Sequence, residues 1–124
     1  MNPLRRQVTD EELFKVLEVC QLIRSLEPVE AKVNELPLQT LTVLMYVASH
    51  NGCHKQAMEE DLYMGKASGS RNTDWLAKFH RLGRPGLNLI TKEVDPSDKR
   101  RTILKLTRKG KDLVHKITQL LYDN

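Results

Sequence analysis

The stretch DPSDKRRTILKLTRKG, residues 95–110, holds a turn, a cationic tip, an alternating strand and a helix start. Asp95-Pro96-Ser97-Asp98 has the chemistry of a tight turn: Pro fixes φ, and short Asp and Ser side chains bond nearby backbone N–H groups. Lys99, Arg100 and Arg101 follow at the tip. Ile103, Leu104 and Leu106 form a short apolar run, and Thr107 is placed to cap a following helix. Just upstream, Leu87 to Val94 reads as the partner strand. A hairpin with its positive charge gathered at the tip is suited to an anion, usually a phosphate backbone or a narrow minor groove.

Helices precede this hairpin. Thr9-Asp10-Glu11-Glu12 reads as a helix start, with Thr9 as cap and Glu12 three residues on, as in a capping box. Leu13, Phe14, Val16, Leu17, Cys20, Ile23 and Leu26 follow at helical spacing until Pro28. Val29 to Leu36 continues or kinks this helix. Leu36-Pro37-Leu38-Gln39 starts a second helix with Pro in its first turn. Leu41, Val43, Leu44, Tyr46 and Val47 make it too apolar for a surface helix, so it is central; Asn51-Gly52 ends it. A short third helix runs from Lys55 to about Tyr63. The small residues Gly65 to Ser70 read as a turn. Ser70 reads as the cap of a fourth helix over 71–82, with Trp75, Leu76, Phe79 and Leu82 in its core stripe, until Gly83-Arg84-Pro85-Gly86 breaks it. Arg108 to Tyr122 is a last helix with Leu113, Val114, Ile117, Leu120 and Leu121 on one side. The fold class is mainly α with a small β-hairpin (α+β), in the order of a winged helix-turn-helix, and 1–124 forms one domain.

Charge is unevenly spread. Residues 66–111 hold 13 Lys/Arg and 4 acids, a net of +9, whereas the whole chain is +4 and the remainder therefore −5. One face is thus built for an anion, and nucleic acid is the favoured partner. No run of 18 apolar residues exists to span a membrane. The start MNPLRRQVTDEE lacks the apolar stretch of a secretory signal, which points to a cytoplasmic protein with Cys20 and Cys53 as reduced thiols. His50-Asn51-Gly52-Cys53-His54 has no second ligand cluster and reads as a polar turn with a half-buried Cys, not a metal site. Glu59-Glu60-Asp61 reads as a solvated helix face. No nucleophile–base pair or glycine-rich phosphate loop stands out, so neither an enzyme nor a cofactor is expected.

Asp98, Arg100, Leu104, Leu106, Thr107 and Gly110 fill, without a gap, the wing pattern D-x-R, an apolar residue, then L-T-x-x-G. In this the chain resembles the MarR family of transcription regulators. Leu36-Pro37-Leu38-Gln39 with Leu44 to Ala48 resembles the family's second helix, and Gly86-Leu87 its entry to the wing. The resemblance implies that Arg100 is a wing-tip arginine that enters the minor groove and that Asp98 orients it through an ion pair. It implies a recognition helix after Ser70, a homodimer joined through the helices within 10–35 and 108–123, a DNA-binding core over 36–107, and release by a small-molecule effector. GRPGLNLITKEV is longer than the family pattern, which predicts a longer or bulged first wing strand.

These readings name the candidate site. Arg and Asn make bidentate contacts to base edges. If Ser70 caps the recognition helix, Arg71, Asn72 and Thr73 lead into the major groove; if the helix starts nearer Lys66, then Ser68, Ser70 and Arg71 do. Lys66, Lys78 and Arg81 add charge along it, and Lys99, Arg100 and Arg101 carry the wing contact. The expected function is sequence-specific binding of double-stranded DNA as a dimeric repressor. Two other functions use the same scaffold: a protein-interaction or adaptor module of replication or transcription machinery, and a non-specific architectural DNA binder.

Overall fold

The computed structural model describes residues 7–27, 35–78, 83 and 85–122. The order is α1 (Asp10–Arg24), α2 (Leu38–Ser49), β1 (Cys53–His54), α3 (Lys55–Asp61), α4 (Lys66–Leu76), β2 (Ile90–Val94), β3 (Thr102–Leu106) and α5 (Arg108–Tyr122). The strands form one antiparallel sheet in the order β1-β3-β2. No helix among the described residues is long and apolar enough to cross a membrane.

Local signals set most boundaries. Thr9 and Glu12 form the capping box of α1. Thr107 Oγ1 accepts the Gly110 N–H at 3.0 Å and starts α5. Gly52, at φ +87°, lets the chain turn after α2, and its N–H reaches Leu104 O at 2.9 Å. The Asn51 side chain accepts the Leu106 N–H at 2.8 Å, so this turn is stitched to β3. Residues 50–54 are therefore more than the expected polar turn: Cys53 and His54 pair with Leu104 and Ile103 as a third strand. Both cysteines are free thiols, Cys20 exposed and Cys53 half-buried.

The core gathers Ile23 of α1, Val43, Leu44 and Val47 of α2, Met58 of α3, Leu76 of α4, Leu104 of β3, and Leu113 and Ile117 of α5. Leu87, Leu89 and Ile90 complete it. Each fully buried side chain of this kind contributes about 1.5–3 kcal/mol. Trp75, expected in this core, is half-buried and lies outside the cluster.

The fourth helix departs most from expectation. It starts at Lys66, with Gly65 as its cap, and ends at Leu76. Gly65 to Ser70 is thus not a turn and Ser70 is not a cap. The small residues serve a helix crossing instead: a Cβ on Gly69 would lie 2.0 Å from Glu59 Oε2. Glu59, expected to be solvated, is buried there and ion-paired to Lys55 at 2.6 Å; Asp61 accepts the Tyr46 hydroxyl at 2.5 Å. The helix stops because Ala77 is extended and the next chain segment returns beneath it. The N–H groups of Gly86, Leu87, Asn88 and Leu89 bond Lys78, Trp75, Ala77 and Leu76 carbonyls at 2.7–3.1 Å. Those bonds also replace the expected longer or bulged strand: β2 begins only at Ile90. Phe79, Arg81, Leu82 and the segment 28–34 lie outside the described residues.

Tyr63, in the turn between α3 and α4, has φ +55° and is 96% exposed. A left-handed non-glycine residue costs about 1–2 kcal/mol, against about 0.5–1 kcal/mol for the extra unfolded-state freedom of glycine. Tyr63→Gly is therefore expected to raise the stability by a net of about 0.5–1 kcal/mol, read as a higher urea midpoint at unchanged m-value. A lowered midpoint would contradict this backbone assignment.

Candidate nucleic-acid interface

The start position of α4 decides which side chains it presents. Gly69, Asn72, Thr73 and Leu76 turn inward at i, i+3, i+4 and i+7. Asn72 and Thr73, candidate base readers from sequence, are buried. Asn72 Oδ1 accepts the Thr40 hydroxyl at 2.7 Å, its Nδ2 donates to Ser68 O at 2.8 Å, and Thr73 Oγ1 donates to Gly69 O at 2.8 Å. Asn72 ties the helix to α2, Thr73 bonds back within α4, and neither has a donor left for a groove. Lys66, Ala67 and Arg71 form the outer ridge, flanked by the half-buried Ser68 and Ser70. Lys78 is exposed just beyond the helix end. Arg81 lies outside the described residues.

Gln39, at the start of α2, joins this surface and had no signal of its own in the sequence. Its side-chain oxygen accepts the Ser68 hydroxyl at 3.4 Å. Asp74 turns toward the sheet and holds Lys92 of β2 at 2.6 Å, tying α4 to the wing. Lys109, counted among the cations of this half, is occupied structurally: its ammonium donates to Glu27 O at 2.6 Å and Leu87 O at 2.8 Å.

The wing tip is a closed turn. Asp95 Oδ1 accepts the Ser97 N–H at 2.8 Å, Asp95 O accepts the Asp98 N–H at 3.2 Å, and the Asp95 N–H bonds Arg101 O at 3.0 Å. His54 Nε2 lies 2.8 Å from Asp95 Oδ2, so β1 braces the turn from below. Arg100 is 90% exposed, and its guanidinium grips Asp98 with two bonds, Nε to Oδ1 at 3.1 Å and Nη2 to Oδ2 at 3.3 Å. Arg101 reaches the same carboxylate at 3.7 Å. Lys99 is exposed beside them. A fork held this way is aimed before anything binds.

The Asp98 carboxyl is held below its ordinary 3.8, first by the Arg100 side chain and then by the Arg100 backbone N–H. Asp95 is likewise lowered, chiefly by His54. A depressed folded value means that the stabilisation is fully present above 3.8 and is lost as pH falls through the lower folded value. Carboxyl NMR titration of Asp98 is expected to give a midpoint below 3.8 that rises in Arg100→Gln. A midpoint unmoved by that substitution would dissolve the pair.

No family model matches the chain, and comparison with curated proteins finds no match. Solved structures do match. A MarR-like transcriptional regulator from Thermotoga maritima superposes with a TM-score of 0.57 at 24% identity, over 91% of this chain and 75% of that one. The S. aureus MepR–DNA complex superposes with a TM-score of 0.60 at 21% identity, over 87% and 81%. The chain has the MarR winged-helix fold. The transcriptional repressor CouR, bound to a 23-mer DNA duplex, is a further match, with a TM-score of 0.58 at 20% identity over 90% and 68%. In terms of the MarR fold, α3 and α4 are the helix-turn-helix, β2 and β3 are the wing, and α1 with α5 forms the terminal helix pair.

Proposed function

We propose that the protein is a sequence-specific double-stranded DNA-binding transcription regulator, acting as a dimeric repressor. The observation that carries this reading is one surface formed by two elements. The outer ridge of α4, with Lys66 and Arg71 flanked by Ser68 and Ser70, lies beside a wing whose Arg100 is fixed by Asp98. Arg71 enters the major groove as base reader, Ser68 and Ser70 flank it, and Arg100 meets the minor groove with Lys99 and Arg101 on the backbone. The DNA in the MepR and CouR structures supports the same partner for this chain.

The dimer rests on α1. Only Ile23 of that helix is buried, while Leu13, Phe14, Val16 and Leu17 are each at least half exposed. Such an apolar face on a small protein marks a contact surface, and a two-fold pair places α4 of each subunit toward successive major grooves. An effector fits the open cleft of about 670 Å³ between α1 and α5, lined by Leu22, Leu26 and Leu113 together with Arg108, Asp112 and Lys116. That size is within the usual range for small-molecule sites.

Duplex binding followed by fluorescence anisotropy between 50 and 200 mM salt tests the reading. Six to ten phosphate contacts from a dimer would lower affinity by about 10³–10⁵ over that range. The sedimenting mass should be that of two chains. Absence of duplex binding near 150 mM salt would refute it.

A further inference from the structure

A cleft of about 220 Å³, open to solvent on one side, lies between the helix-turn-helix and the wing. Four parts of the fold supply its wall: Lys55 and Glu59 from α3, Lys66 from the first turn of α4, Arg100, Arg101 and Thr102 from the wing, and His54 of β1. The charges are unbalanced. Lys55 and Glu59 neutralise each other at 2.6 Å. Arg100 and Arg101 share the single carboxylate of Asp98, at 3.1 and 3.7 Å. His54 is engaged with Asp95. Lys66 enters no ion pair among the described residues. An ammonium from one side and a guanidinium from the other thus face a common void with positive charge to spare.

We propose that this cleft seats one backbone phosphate of the bound duplex, held jointly by Lys66 of α4 and Arg101 of the wing. The inference rests on the DNA-binding reading above. A phosphodiester presents two free oxygens and one negative charge. A compact ammonium and a planar guanidinium converging on it match that charge and satisfy both oxygens. The seat lies between the helix that reads the major groove and the wing that meets the minor groove, so its phosphate belongs to the strand separating them. Phosphate contacts of this kind fix register rather than sequence. The shared phosphate clamps the wing against α4, so that Arg100 and Arg71 read positions a fixed distance apart.

The test compares the full-length protein with Lys66→Gln, Arg101→Gln and the double variant, all exposed positions, on a mixed-sequence duplex over a salt series. Both subunits of the dimer carry the substitution, so each single variant should reduce the magnitude of the salt slope by up to about 1.8, and the double by the same ~1.8, because one phosphate per subunit is lost. A double variant that loses about 3.6 has two independent contacts per subunit, and that result overturns the seat while leaving DNA binding intact. No change in either single variant does the same. On the enriched operator, an uncharged methylphosphonate at one linkage of each half-site should abolish the effect of both substitutions; a requirement for two different linkages within a half-site overturns the seat. A wild-type protein that binds no duplex would overturn the DNA reading itself, and the seat with it.

Discussion

Gly110→Ala is expected to lower the melting temperature of this protein by several degrees, although alanine is the better helix former. In an exposed helix the change gains up to about 1 kcal/mol. Here the first turn of α5 lies directly on the backbone of Leu89: a Cβ on Gly110 would stand 2.1 Å from Leu89 O and 3.2 Å from Leu106 Cδ2. The carbonyl cannot retreat. It accepts the Thr107 N–H at 3.0 Å, and the Leu89 N–H is fixed to Leu76 O at 2.7 Å. Overpacking of this kind costs about 1–3 kcal/mol or more, which exceeds the propensity gain. Each kcal/mol moves the midpoint of a domain this size by about 3–6 °C. An unchanged or raised midpoint in a thermal melt would mean that α5 does not sit where the wing and α4 meet.

Arg71→Ala is expected to weaken binding to the preferred operator by about 1–3 kcal/mol, roughly 5- to 150-fold, and to relax preference at one base-pair position. Binding to mixed-sequence duplex should change far less, because a base reader contributes little where no matching base is present. Asn72→Ala supplies the contrast. Its side chain is buried against Thr40 and Ser68, and removing it strands the Thr40 hydroxyl, at a cost of about 1–3 kcal/mol in stability. A loss of specificity in Asn72→Ala with none in Arg71→Ala would place α4 in the other register.

That register is where sequence and structure part. The wing, α1 and α5 were legible because their determinants are local: Pro96 and Asp98 in the turn, Thr9 with Glu12 in the capping box, Thr107 at the start of α5. Within α4 the determinant is tertiary. Gly69 is small because buried Glu59 of the preceding helix crosses it, and the run Gly65 to Ser70 by itself does not distinguish that packing from a flexible turn. Reading the helix as starting at Ser70 placed Asn72 and Thr73 on the outer face, where the true periodicity turns them inward. Lys66 was named from sequence; its convergence with Arg101 on one cleft is a tertiary fact. Lys109 shows the reverse error, a cation counted toward phosphates that holds the carbonyls of Glu27 and Leu87.

Selection from a random duplex library at about 150 mM salt, near physiological ionic strength, tests the central claim most directly, with Arg71→Ala and Arg100→Ala run in parallel. The account predicts an enriched inverted repeat whose half-sites lie about one helical turn apart. Arg71→Ala should relax one position of that repeat, and Arg100→Ala should weaken preference for A·T-rich flanks. Retention of DNA without sequence enrichment, or no retention at all, would contradict a sequence-specific regulator.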